Sequence, residues 1–385
     1  MKSEEFFSST SHLALMLEDL DTILSMKRQI ENIDSNFSVL AYESLNASTN
    51  LIKKRWGIQS HHTSLTLEDY KSSYLTPGIK RTITLENLSL IAGNIVTKFF
   101  SLLSKLWEVT KKFVKDNFSR LSFNQGILNS YKKKYKRLKP GKDFNPVPGE
   151  APRNIANVFG LFNNKITCST MIKETDRMEI VYKKVSDTII ELVKSSEEIY
   201  AYDITKPDII PEATKRVTAS VEKLKNFEND KRSLGSEEDP LPTGVYFTIE
   251  FKETTQYPSV KISKNKVKTP PKSSYRIDPP TINEAKTLID VTLKLIEYVK
   301  SASKEVERVE KMVEKTAKNI EGQFKFSIEE SKSSEAEIQG TLTKMYKSLL
   351  SISNLYTYFN NSTITIIGKL SSANITYLKK SMATN

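Results

Sequence analysis

The chain has 385 residues, 38% hydrophobic and 27% charged, with only 12 glycines, a composition that excludes collagen-like and disordered classes and leans toward a helical, extended globular protein. Its net charge of +12 favours an anionic neighbour, nucleic acid or anionic lipid, through long-range attraction and counterion release. The single cysteine, Cys168, excludes an internal disulfide framework and makes a reducing compartment the simpler home.

The opening Met1-Lys2-Ser3-Glu4-Glu5 lacks the cationic start and apolar core of a secretory signal, so export by that route is not expected. Over residues 5–58 the apolar positions Leu13, Leu17, Leu20 and Ile23, then Ile30, Ile33, Phe37 and Leu40, recur every three or four residues. They predict a helical hairpin or loose coiled pair, marginally stable alone. Between Ile58 and Leu88 the periodicity lapses into Ser, Thr, His, Tyr, Pro77 and Gly78, the composition of a flexible connector. Two Thr-Leu-Glu tripeptides, ending at Glu68 and Glu86, fall in that connector, where a protease would find the extended backbone that it needs. Charge and histidine content both change there. Residues 1–86 hold 9 Lys and Arg against 11 Asp and Glu, or −2, leaving 49 against 35, or +14, for the remainder. All three histidines (His12, His61 and His62) precede residue 63, so a product lacking that leader would hold no Ser-His-Asp, Cys-His or histidine-metal centre.

From Leu88 a second helix is expected, with Ile91, Ile95, Phe99, Leu102, Leu106, Val109 and Phe113 on one face and Phe100, Leu103, Trp107 and Val114 widening it. Lys98, Lys105, Lys111, Lys112 and Lys115 make its back cationic. Such a helix packs on protein as a bundle member or lies on an anionic membrane surface, with Leu102, Leu106, Trp107 and Phe113 as the buried face. Asn94 and Lys98 interrupt the apolar run short of a membrane span. The densest basic cluster follows: Lys132, Lys133, Lys134, Lys136, Arg137 and Lys139, interleaved with Tyr131 and Tyr135. It suits contact with phosphates rather than base reading, and is otherwise a solvated helix end.

Prolines and glycines between residues 140 and 165 mark a boundary. Cys168, with no downstream histidine, reads as a small buried apolar residue. Helices are expected over 172–200 and from Pro211 through Phe227, and a β-hairpin over Val245–Phe251 and Ser259–Ile262. Lys264, Lys266, Lys268, Lys272 and Arg276 then read as an exposed cationic linker ending at Pro279-Pro280. Thr281-Ile282-Asn283-Glu284 is a capping box launching heptad-like positions from Leu288 to Ile320. A second run, Ile338 to Phe359, continuing through Ile366, Leu370 and Tyr377, completes an antiparallel helical hairpin, although Thr363–Ile367 has strand propensity.

The predicted organisation is therefore mainly α: an extended helical bundle of coiled-coil hairpins with a small β-hairpin-containing (α+β) middle region. It divides into a leader (1–62), a cleavable linker (63–87), an amphipathic basic segment (88–139), a middle domain (150–268) and a C-terminal helical hairpin (281–380). No Gly-rich phosphate loop, metal-ligand spacing or nucleophile elbow appears, which weighs against an enzyme and against a bound cofactor.

The stretch SLTLEDYKSSYLTPGIKRTITLENLSLIAGNIVTKFFSLLSKLWEVTKKFVK resembles the leader-to-product junction of internal head proteins of large tailed bacteriophages. The resemblance covers roughly residues 1–120. It implies a precursor made in the host cytoplasm and assembled with other prohead core proteins. A prohead protease would cut it after Glu86, Glu68 or Glu43 (the last in Ala41-Tyr42-Glu43), although Thr stands at the small position of the first two. The basic product would then stay in the virion head beside packaged DNA and be open to ejection into the host. Two further readings stand beside it: an unprocessed scaffold or membrane-surface helical protein, and, as the resemblance also implies, an ejected effector that inhibits a host enzyme through residues 150–265.

Overall fold

The computed structural model describes residues 3–31, 38–59, 67–71, 74–138, 149–161, 165–200, 231–254, 257–268, 275–329 and 355–382, with isolated positions at 212, 215, 219, 222 and 350. The chain is mainly α with a small β component. In order it runs α1 (Ser3–Glu31), α2 (Val39–Trp56), α3 (Leu67–Lys71), α4 (Pro77–Arg137), β1 (Gly149–Glu150), α5 (Arg153–Phe159), β2 (Lys165–Ile166), α6 (Cys168–Tyr200) and α7 (Lys231–Leu234). There follow β3 (Val245–Thr254), β4 (Tyr257–Lys266), β5 (Arg276–Ile277), α8 (Ile282–Glu329), a π-turn (Leu355–Asn360) and α9 (Asn361–Met382). Apart from those isolated positions, the expected helix after Pro211 and the heptad run from Ile338 to Ile352 lie outside the described residues, as do Ile33, Phe37 and Lys139.

Two compact units emerge. The first comprises Met1–Trp107, Ser195–Ala219 and Met312–Leu350, and the second Glu108–Lys194, Ser220–Lys311 and Ser351–Asn385. The expected borders near residue 87 and between residues 268 and 281 do not coincide with this partition, because α4, α6 and α8 each contribute to both units.

In the first unit, α1 buries Leu13, Met16, Leu17, Leu20, Ile23 and Leu24, and α2 buries Tyr42, Leu45, Thr49 and Ile52, the three-and-four spacing of one helical face. Leu40, expected inside, is 76% exposed. Ser38 caps α2, its Oγ accepting from the Ala41 amide at 3.1 Å, and Gly57 ends the helix in a left-handed conformation (φ 56°). Asp19 fastens the pair: its carboxylate accepts from Arg55 Nη1 at 2.7 and 2.8 Å and from Trp56 Nε1 at 2.7 Å. Two cations of α4 then cap both of these helices, since Arg81 donates to the Glu31 carbonyl and Lys98 to the Trp56 carbonyl, the last residues of α1 and α2.

This arrangement corrects the expectation of a connector over residues 77–87. Pro77 does not interrupt structure but occupies the first helical position, where its missing N–H costs nothing, and α4 continues for 61 residues. Ile83, Thr84 and Asn87 face α2, lining a crevice with Tyr42, Leu45, Asn46 and Thr49. Tertiary contact thus overrides the turn-like composition.

The second unit is organised around α9, which is buried nearly all round: from Asn361 to Leu378 only Lys369 is exposed. Partner positions give the directions of its neighbours. On α4, Asn124 Nδ2 donates to Ser371 Oγ at 2.8 Å and Tyr135 Oη to the Leu378 carbonyl at 3.4 Å, so the two helices run parallel. Lys300 Nζ donates to Gln125 Oε1 at 3.0 Å while Lys132 Nζ meets Asp290 at 2.7 Å, making α8 antiparallel to α4. Lys294 pairs with Glu179 at 2.9 Å, and Tyr182 meets Tyr298 edge-on, placing α6 parallel to α8. The bundle is therefore two helices up and two down, and the expected antiparallel partner of α8 is α9. Residues 363–367 are helical despite their β-branched composition, because surrounding apolar surface rewards burial whatever the local propensity.

At the upper end a three-stranded sheet of order β1-β5-β2 closes the bundle, β5 pairing antiparallel with β1 and parallel with β2. The predicted hairpin is present and longer than expected: β3 and β4 pair from Val245↔Lys266 to Thr254↔Tyr257, so Lys264 and Lys266 belong to a strand rather than a linker, as Arg276 belongs to β5. Phe247 packs edge-on against Phe359 (centroids 4.4 Å apart) and joins the hairpin to the start of α9.

One side chain ties three of these helices together. Asn374 Nδ2 donates at 3.0 Å to both Thr175 Oγ1 of α6 and Thr292 Oγ1 of α8, all three residues being wholly buried. Replacing Asn374 by Ala is expected to lower stability in urea denaturation by about 2 kcal/mol, from two lost hydrogen bonds and a small cavity.

Candidate polyanion-binding surface

The seven-residue spacing of Leu128 and Tyr135, both wholly buried, fixes which way the end of α4 faces. With Tyr135 turned inward, Lys133, Lys134, Lys136 and Arg137 are exposed. Lys132 is held by Asp290 and is the neutralised member of the cluster.

The Tyr135–Leu378 hydrogen bond brings the end of α9 to the same place, and there Lys379 and Lys380 follow the buried pair Tyr377-Leu378 into solvent. Lys380 donates to the Glu150 carbonyl, and Asn154 Nδ2 donates to Thr376 Oγ1 at 2.7 Å, which sets the exposed Arg153 of α5 beside them. Among the described residues carboxylates take up Lys132 and Lys165, the latter by Asp278 at 2.6 Å, and leave Lys133, Lys134, Lys136, Arg137, Lys379 and Arg153 to solvent. Cations at two helix C-termini complement the helix dipoles. The excess beyond that forms a cationic surface built from segments some 240 residues apart in sequence.

Beneath it lies a polar layer with no reactive group. Burial pushes the Cys168 thiol up to about 12, with the Glu284 charge adding to the rise and a hydrogen bond with Tyr377 offsetting part of it. Tyr135 and Tyr377 are likewise raised, first by burial and then by Cys168. Tyr377 Oη donates to the Asp278 carbonyl at 2.7 Å. A thiol so protonated is a poor nucleophile.

The other sequence-derived sites fall elsewhere. Leu106 and Trp107 are buried, whereas Leu102 and Phe113 are half-buried and Val109 is exposed. The true inner face follows Leu103, Trp107, Thr110, Val114, Leu121, Asn124 and Leu128. Polar Thr110 and Asn124 obscured that heptad in the sequence.

Glu43 sits within α2, 3.8 Å from Lys71. Glu68 is exposed on the five-residue α3. Glu86 is exposed but lies well inside α4, with Thr84 buried two residues before it and bonded to the Lys80 carbonyl at 2.8 Å. Among the described residues no helix is long and apolar enough to cross a membrane, and no group of three His, Cys, Asp or Glu could hold a metal. No protein-family model, curated protein or solved structure matches the chain.

Lys379, Lys380 and Arg153 were missed by sequence reasoning, which weighed only contiguous basic runs. The nearest signal was the Lys pair directly after the apolar run ending in Tyr377-Leu378. Two outcomes follow from this geometry. Thiol labelling at pH 8 is expected to be at least tenfold slower for Cys168 in the native chain than in urea. Because the folded pKa exceeds the unfolded one, this group's contribution to stability is intact below about pH 9 and is lost as pH rises toward 12. A glutamate-specific endoprotease should cut after Glu68 before Glu86, since a five-residue helix unwinds at little cost and the body of α4 does not.

Proposed function

We propose that the chain is a non-enzymatic structural protein of the head interior of large tailed bacteriophages, made as a precursor and held beside packaged DNA through the cationic surface at the ends of α4 and α9. The observation that carries this reading is the convergence of Lys133, Lys134, Lys136, Arg137, Lys379 and Lys380 on one end of a bundle. Sequence-independent contact with a DNA backbone asks for cations on a rigid frame and for nothing that reads bases.

Within this reading Glu68 is the favoured cleavage site, because Glu43 and Glu86 sit inside longer helices. A cut there would separate residues 1–68, with 6 Lys and Arg against 9 Asp and Glu, from a product with 52 against 37, or +15. The membrane-surface alternative would require the first unit to open, since Leu106 and Trp107 already lie in its core.

Two measurements test the proposal. Intact-mass analysis of the protein from mature particles is expected to give a product beginning at Asp69; a form still beginning at Met1 removes the processing step. A 20-base-pair duplex of arbitrary sequence should bind with an affinity that falls steeply with salt. Replacing Lys133, Lys134, Lys136 and Arg137 with Ala should weaken binding at least tenfold and reduce the log–log salt slope by about 3 to 4.

A further inference from the structure

A second group of cations lies along α9 from the surface just described. Lys369 is the one exposed residue between Asn361 and Leu378, and Lys264 of β4 lies within reach of its charge and of that of Lys266, its neighbour on the same strand face. Lys264 lies opposite Phe247 in the β3–β4 ladder, so the two side chains share the hairpin face that meets Phe359. Its stem is drawn against that face while the residue keeps solvent access. Burial lowers its proton affinity, and Lys369 and Lys266 lower it further. Three lysines are thus crowded where charge repels charge.

The helix joins this cluster to the first surface. Lys369 and Lys380 are eleven residues apart, three turns of α-helix, so they project on the same side about 16 Å apart. The half-buried positions between them, Ser372 and Thr376, carry small side chains whose hydroxyls are spent on their own helix, bonding the Gly368 and Ser372 carbonyls at 2.9 Å each. They leave the stripe low and contribute no charge. Charge comes from its flanks: Arg120 of α4 reaches Ser372 Oγ at 3.4 Å on one side, and Arg153 of α5 stands next to Asn154, which bonds Thr376, on the other.

We infer that Lys264, Lys266, Lys369, Arg120, Arg153 and Lys380 form one continuous track over the half-buried side of α9 that runs from Lys369 through Ser372 and Thr376 to Lys380, for the phosphodiester backbone of a nucleic-acid strand. The inference rests on the polyanion reading above and extends it from an end patch to a path. Measured along the duplex axis, where one strand of B-form DNA rises about 3.4 Å per phosphate, the 16 Å stretch matches the rise of about five nucleotides. The cations at either end lengthen the footprint beyond that.

The test uses the full chain and the same 20-base-pair duplex. The variant Lys264→Ala/Lys266→Ala/Lys369→Ala is expected to keep the wild-type helicity and melting temperature and one duplex bound per chain, while the log–log salt slope falls by about 3. A control that removes three exposed lysines of α6 and α8, Lys173→Ala/Lys183→Ala/Lys304→Ala, should leave the slope within about 1 of wild type. The track is overturned if the first variant binds as wild type while the Lys133/Lys134/Lys136/Arg137 variant does not, an outcome that leaves the end surface standing. It is overturned equally if the control loses as much slope as the variant, which would mean general charge, or if the variant reduces two bound duplexes to one, which would mean separate sites. Failure of the wild-type chain to bind the duplex removes both the track and the reading beneath it.

Discussion

A helix surrounded on nearly all sides must solve two problems at once: every contact has to be filled, and something has to fix its rotation and height. In α9 the first is met by Ile364, Ile367, Leu370, Tyr377 and Leu378, and the second by Asn374, whose amide reaches Thr175 and Thr292 together. Apolar packing tolerates a slip of one turn far better than a buried amide does, because a displaced Asn374 would leave its donors without acceptors. Both threonines donate to their own helix, to the Met171 and Leu288 carbonyls, so their oxygens are oriented before the amide arrives. The position of everything α9 carries, including the lysines at its end and on its outer edge, follows from that register.

Charge is arranged on the two units in different ways. In the first, Arg81 and Lys98 are consumed internally, finishing α1 and α2 where their carbonyls would otherwise lack donors. In the second, Lys132, Lys165 and Lys294 pair with carboxylates while a larger set points to solvent. The same residue type therefore serves as structural cap, ion-pair partner and surface charge, and the total of +12 does not distinguish them.

Much of the architecture was legible in the sequence because periodic burial is a local property. The α1–α2 hairpin, the capping box at Thr281, whose Oγ1 accepts from the Glu284 amide at 3.2 Å, and the β3–β4 hairpin each follow from short patterns. The start of α4 was not legible: Pro77-Gly78 and the Thr-rich residues after it read as a turn, and only packing of Ile83 and Thr84 against α2 makes them helical. The inner face of α4 was misjudged past Trp107 because Thr110 and Asn124 fill core positions. The cationic surface was half legible. Its α4 portion is a contiguous run, but Lys379, Lys380 and Lys369 join it only through the parallel packing of two helices far apart in the chain.

The caps supplied by Arg81 and Lys98 bear on what a break in the chain between α2 and α4 would accomplish. Each of those contacts crosses from the N-terminal hairpin to α4. None depends on an intact peptide bond in between. Scission and departure are consequently separate events: a severed N-terminal piece would stay seated on its long helix until heat, denaturant or a competing surface displaced it.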